Sequence, residues 1–163
     1  MTEREPSPEA RLQEALDRAY RYLSQRDRTE REMRDHLERA GVEASAVEDA
    51  IRLLTELEYL NDARFARRFV QDKRELDEWG GERIQRRLVA LGVDPDQVRA
   101  TLADDEAGTE LGRALSLLRR RFPAPPGDRR SRDRALGVLL RKGYDPELAF
   151  EALAAHAGVD SDG

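Results

Sequence analysis

Gly41, Gly92 and Gly143 stand at one interval: 92 − 41 and 143 − 92 are both 51 residues. Each opens a similar octet-sized junction, "AGVEASAV" at 40–47, "LGVDPDQV" at 91–98 and "KGYDPELA" at 142–149. A leucine precedes each glycine by four residues (Leu37, Leu88, Leu139), and an apolar residue follows by ten (Ile51, Leu102, Leu153). A fixed period of this length is the mark of a repeated supersecondary unit. The junction itself reads as the end of one helix and the start of the next. Gly92 can take the left-handed conformation that closes a helix, and Val93 can fold back onto it. Asp94 then caps the following helix, Pro95 suits its first position, and Gln97 completes a capping box. Gly143, Tyr144, Asp145 and Pro146 repeat the plan.

Helical periodicity fills the space between the junctions. Leu12, Leu16, Ala19 and Leu23 form one apolar stripe, with Ser7 as N-cap and Pro8 at the first helical position. "TERE" at 29–32 predicts a capping box from Thr29 and Glu32, with Met33 and Leu37 facing inward. "SAVE" at 45–48 predicts another, ahead of Val47, Ile51, Leu54 and Leu57. Asn61 or Asp62 caps a helix bearing Phe65 and Phe69, Gly80-Gly81 breaks it, and Ile84, Leu88 and Leu91 give the next stripe. A helix over roughly 110–122, the loop "FPAPPGD" and a helix over 131–142 follow. No stretch alternates with period two, so strands are not expected.

The expected fold is therefore all-α: three tandem three-helix repeats of helix-turn-helix-like units, forming an elongated, curved array. Short helices cannot bury their apolar faces alone, so each unit stacks on its neighbour. The expected organisation is a flexible segment 1–8, repeats over 9–60, 61–106 and 107–157, a proline-rich loop at 122–128 within the third, and a flexible segment 158–163. Such arrays serve more often as binding surfaces than as closed catalytic pockets.

Composition removes several classes of function. The chain has 163 residues, no Cys and 39% charged residues, which excludes a disulfide scaffold and a cysteine-based zinc site. No apolar run is long enough for a membrane span or a signal peptide, so a cytoplasmic protein is expected. His36 and His156 are the only histidines; Glu32 with His36 is too little for a metal site. Gly80-Gly81 lacks the pattern of a phosphate-cradling loop. An enzyme is not expected, nor a cofactor or metal.

Charge is unevenly spread. Residues 113–142 carry ten Arg and Lys against two Asp, a local +8, while the whole chain is −5 and the remainder therefore −13. Arg119, Arg120, Arg121, Arg129, Arg130, Arg132 and Arg134 surround the "PAPPG" loop and form the first candidate surface for phosphate or carboxylate groups. The alternative is a solvated face paired with the chain's own acids. Arg64, Arg67 and Arg68, with Lys73 and Arg74, are the second candidate, though Asp72, Glu75 and Asp77 suit an ordinary charged helix face. Trp79 either packs or anchors a partner. Tyr22, Phe65 and Phe69 read as core.

"YLSQRDRTEREMRDHLERAG" (22–41), "LTELEYLNDARFARRFV" (54–70) and "GGERIQRRLVALGVD" (80–94), in that order, resemble the RecX regulatory proteins. The first contributes Tyr22, Leu23, Arg26, Thr29, Glu32, Met33, Leu37 and Gly41 to the family's pattern. The second matches its Leu-Asn/Asp-Asp-x-x-Phe-Ala signature with Leu60, Asn61, Asp62, Phe65 and Ala66, and the third carries Ile84, Leu88 and Gly92. The resemblance spans about 12–155. It implies a modulator of the recombinase RecA that lies along the groove of the RecA–single-stranded-DNA filament. It further implies inhibition of strand exchange, ATP hydrolysis and stimulated cleavage of the SOS repressor, in recombinational DNA repair. The partner is then the nucleoprotein filament. A weak contact with DNA is also open, and the chain is expected to be a monomer. This sequence is acidic where many members are basic or near neutral, and Glu82 stands where Pro often follows the glycine.

Two other functions compete. An independent DNA-binding protein built from helix-turn-helix-like units would need base-reading and phosphate-binding residues on its recognition helices. "ASAVEDAIRLL", "PDQVRATLADD" and "PELAFEALAA" are instead acidic or apolar. A scaffold for some other partner would show no response to recombinase filaments.

Overall fold

In the computed structural model, residues 4–104 and 109–158 are described. The expected flexible ends fall partly outside that range, at 1–3 and 159–163. Among the described residues there are nine helices: α1 Pro8–Leu23, α2 Glu30–Arg39, α3 Ala44–Glu56, α4 Asp62–Glu75, α5 Gly81–Ala90, α6 Pro95–Ala103, α7 Glu110–Arg121, α8 Arg129–Lys142 and α9 Pro146–His156. The all-α expectation holds. No described helix is long and apolar enough to cross a membrane.

Local signals fix most helix ends. The Ser7 hydroxyl accepts from the Ala10 amide and Pro8 opens α1. Thr29 and Glu32 close the capping box of α2. Asn61 accepts from the Arg64 amide at 3.0 Å and so caps α4. Asp62 instead reaches another helix, where its carboxylate accepts from the Glu30 amide at the first position of α2, 2.9 Å away. Asp145 caps α9 ahead of Pro146. Two starts differ from expectation. The capping box at Ser45 does not form; α3 begins at Ala44, and Glu43 at the cap position makes no side-chain cap bond. Its carboxylate is paired with Arg11 instead. Asp128 accepts from the Ser131 amide at 2.7 Å, so α8 begins two residues before the expected Ser131.

The periodic glycines are left-handed, with φ of +80° at Gly41, +100° at Gly92 and +93° at Gly143. Schellman bonds accompany two of them: Val42 N–H donates to Leu37 O, and Tyr144 N–H to Leu139 O. Glu58 and Glu78 take the same conformation without being glycine, at φ +63° and +58°. Around Glu58, the Tyr59 amide donates to Leu54 O and the Arg64 guanidinium to Glu58 O, which holds the turn.

The fold divides into two compact units. One takes the described residues up to Ala66 together with Ala90–Asp94; the other takes Arg67–Val89 and the described residues from Pro95 onward. In the first, Ala15, Leu16 and Ala19 of α1, Met33 and Leu37 of α2, and Val47, Ala50, Ile51 and Leu54 of α3 form one core with Leu60. In the second, Ala114, Leu117 and Leu118 of α7, Ala135, Val138 and Leu139 of α8, and Ala149 and Ala152 of α9 pack with Tyr144. Of the three aromatics expected in the core, Phe65 is buried, whereas Tyr22 and Phe69 are half-buried.

The Ala90–Asp94 turn joins the first unit for a specific reason. Thr29 Oγ1 donates to Leu91 O at 2.5 Å, Arg31 bonds Ala90 O, and a Cβ on Gly92 would overlap the Arg31 Cβ. The second unit contains the same joint. Gly80 N–H donates to Lys142 O at 2.7 Å, Arg83 donates to Arg141 O at 3.0 Å, and a Cβ on Gly143 would overlap the Arg83 Cβ. In both, the head of one helix covers the last carbonyls of another.

Candidate functional site

The seven arginines of the first candidate surface flank a single loop. Leu117 and Leu118 are buried at the end of α7, which leaves Arg119, Arg120 and Arg121 on its exposed last turn. Phe122 ends the helix, and its carbonyl accepts from His156 Nε2 at 2.8 Å, tying the loop to α9. Pro123, Pro125 and Pro126 stiffen the segment before Asp128 starts α8. Arg129, Arg130, Arg132 and Arg134 are then exposed over the first two turns.

Helix electrostatics separates the two halves of this cluster. Cations in the last turn complement the negative end of a helix dipole. Arg119, Arg120 and Arg121 are placed that way, and Arg120 is also paired with Glu78. Local stability therefore accounts for them in part. The α8 arginines stand at the wrong end: its first turn has no acidic residue, and cations there oppose the dipole. The cap carboxylate of Asp128 is held below the usual range, first by the Ser131 amide and further by Arg134 and Arg132. Arg132 also donates to Asp128 O at 3.4 Å. Among the described residues no ion pair engages Arg119, Arg121, Arg129, Arg130 or Arg134.

The second candidate surface is mostly spoken for. Arg64 braces the Glu58 turn. Lys73 is ion-paired to Asp77 at 3.1 Å and lies over the Trp79 ring, whose centroid is also 4.0 Å from the Arg83 guanidinium. Trp79 meets Phe69 edge-on, so it packs. Arg74 is buried against Glu110, which Arg113 approaches at 3.9 Å. Arg67 and Arg68 are exposed, and Arg68 is engaged within the chain as well. Arg74, Arg113, Arg120 and Tyr144 line an open cleft of about 410 Å3. Burial there, followed by the Glu110 charge, pushes the Tyr144 phenol up to about 12.

Three cations with structural roles escape sequence reasoning. Arg31 and Arg83 cap distant helix ends. Arg28 is buried with its guanidinium 3.7 Å from the Tyr22 ring centroid. His36 is stacked on the same ring, with centroids 3.8 Å apart and planes 3° from parallel. Desolvation, with Arg28 and Arg18 nearby, lowers the His36 pKa.

Residues 15–53 match the first three-helix domain of RecX, and 61–102 the second. The regulatory protein RecX of Mycobacterium ulcerans is 32% identical over 159 residues, which cover 96% of this chain and 92% of that one. The chain belongs to the RecX family. It is thus one of a family of regulatory, non-enzymatic proteins. RecX of Lactobacillus delbrueckii subsp. bulgaricus is 40% identical over 103 residues, but the match spans only 38% of that longer protein. The crystal structure of RecX from Lactobacillus salivarius superposes with a TM-score of 0.77 at 20% identity, covering 90% of this chain and 96% of that one, which establishes the shared RecX fold. The capping box, the Asn61-Asp62 pair and the glycine turns that carried the resemblance are all structural in this chain. Arg129 and Arg130, exposed in the first turn of α8, are not explained by that architecture.

Proposed function

We propose that this chain regulates the recombinase RecA in the cytoplasm. It binds the RecA filament on single-stranded DNA, inhibits recombinase, ATPase and coprotease activities, and so modulates recombinational repair and the SOS response. Membership of the RecX family supports the reading. The observation that carries it is the head of α8, where Arg129, Arg130, Arg132 and Arg134 sit exposed against the helix dipole. Arg129, Arg130 and Arg132 in the first turn, with Arg134 one turn on, are best accounted for by an anionic partner, either phosphates of the filament or acidic patches of its protein. Arg119, Arg121 and Arg67 extend the cationic surface; Arg120, Arg64 and Arg68 contribute less, being engaged within the chain.

The experiment is a titration of the purified protein into RecA–single-stranded-DNA filaments, following ATP hydrolysis, with naked DNA as a parallel arm. Substoichiometric inhibition with weak DNA binding is expected. Inhibition only where the protein already coats the DNA would favour an independent DNA-binding protein. No inhibition by the folded protein would remove the assignment.

A further inference from the structure

The Arg31–Gly92 and Arg83–Gly143 joints are copies of one device, and the described residues hold a third socket in the first unit and a third head in the second, neither filled within its own unit. In each filled joint a left-handed glycine ends a helix, and the carbonyls one and two residues before it accept from the head of another helix. Leu91 O and Ala90 O receive Thr29 Oγ1 and Arg31; Lys142 O and Arg141 O receive Gly80 N–H and Arg83. The arginine Cβ then lies flat on the glycine. The third socket is the end of α2: Arg39, Ala40 and Gly41 are exposed, and nothing lies within 4 Å of a Cβ built on Gly41. The third head is the start of α8. Arg130 is the second residue of its helix, as Arg31 is of α2. Arg134 precedes Gly143 by nine residues, as Arg83 precedes Gly92. Arg130 and Arg134 share a helix face by their spacing.

We propose that the Gly41 socket of one molecule takes the α8 head of a second copy, giving head-to-tail association. The complement is chemical as well as positional. The socket is the negative end of a helix dipole, bordered by the exposed Glu38, and the head is arginine-rich with no ion pair to Arg130 or Arg134 among the described residues. A socket and head on different surfaces make a heterologous contact, which extends rather than closes on itself. With one small joint per contact the chain is a monomer when dilute and associates when concentrated, as on a shared lattice. Such association requires no RecA, so it is tested without the filament, although it shares Arg130 and Arg134 with the proposed partner surface.

Sedimentation velocity of the full chain tests it, from about 10 µM to about 1 mM, the range in which weak contacts populate. The weight-average sedimentation coefficient is expected to rise with concentration. Gly41→Asn blocks the socket while tolerating the left-handed backbone, and R130E/R134E reverses the head. Each alone is expected to associate at least ~tenfold more weakly. An equal mixture of the two keeps one intact socket and one intact head, so it is expected to form dimers that do not grow. Gly158→Asn, at a glycine also left-handed and open, serves as control and should associate like the parent. If Gly41→Asn melts early, R130E/R134E decides alone, because both residues are exposed. A parent chain that stays monomeric throughout overturns the proposal, as does a head variant that associates normally or a mixture that yields no dimer.

Discussion

Arg83 lies flat on Gly143, so closely that a Cβ added to that glycine would overlap the arginine's own. Arg31 lies on Gly92 in the same way, whereas Gly41 faces open space. Alanine at Gly41 therefore meets only the left-handed backbone, a loss of roughly 1–2 kcal/mol. Alanine at Gly92 or Gly143 adds a backbone-deep clash, for a total of about 2–5 kcal/mol. Urea unfolding of the three variants should rank Gly41→Ala mildest. Equal losses would mean that the arginines yield freely.

Asp62 tests the link between α4 and α2. Its carboxylate is half-buried, burial raises its pKa, and the Glu30 amide is its hydrogen-bond donor. Asp62→Asn keeps an acceptor and removes a desolvated charge, so stability at pH 7 should change by less than about 1 kcal/mol. Asp62→Ala leaves an amide at the head of α2 without its acceptor and should cost about 1–3 kcal/mol. Amide exchange at Glu30 should quicken in the alanine variant alone.

Two groups set opposite limits in pH. His36 has its folded pKa below the ordinary 6.5, chiefly through desolvation, so the fold prefers the neutral ring. Its contribution is present above the unfolded pKa and is lost as pH falls through 6.5 toward the folded value. Nuclear magnetic resonance titration of His36 should give a midpoint below 6.5. His36→Gln should flatten the acid side of the stability profile. Tyr144 is raised from 10.0 to about 12, so its contribution is present below pH 10 and lost as pH rises toward 12. Phenolate absorbance of the native chain should show one tyrosine ionising late.

The α8 head separates binding from stability. Arg129→Glu with Arg130→Glu places anions in a first helical turn that now has none. Each change should stabilise the helix by roughly 0.3–1 kcal/mol, while filament binding falls at least tenfold. The corresponding reversal of Arg119–Arg121 opposes the dipole of α7 and breaks the Glu78 pair, so it lowers stability as well. Melting and filament-binding measurements on the two sets discriminate them. Unchanged binding by the α8 variant would remove that head from the partner surface.

What the sequence determined by itself was local. The glycine turns, the Thr29–Glu32 box, the Ser7-Pro8 and Asp145-Pro146 starts and the apolar stripes each act within one or two helical turns and formed as expected, except that Leu57, expected on the inner face of α3, falls at the helix end and is exposed. Ser45 was a local signal too, yet α3 starts one residue before it and Glu43 pairs with Arg11, 32 residues away in the chain. Glu58 and Glu78 show the converse, left-handed turns with no glycine to announce them. Only tertiary structure decided which arginines are structural. Arg28, Arg31, Arg74 and Arg83 carry no mark that separates them from Arg129 or Arg130, because a guanidinium is the same donor whether it meets a distant carbonyl or solvent. For Arg31 and Arg83 the role depends on which helix head reaches which helix end, a contact between residues some 58–59 positions apart. Arg74 needs Glu110, 36 positions away, and Arg28 needs the fold that lays its guanidinium on Tyr22. Periodicity can announce that such a joint repeats; it cannot say which side chain fills it.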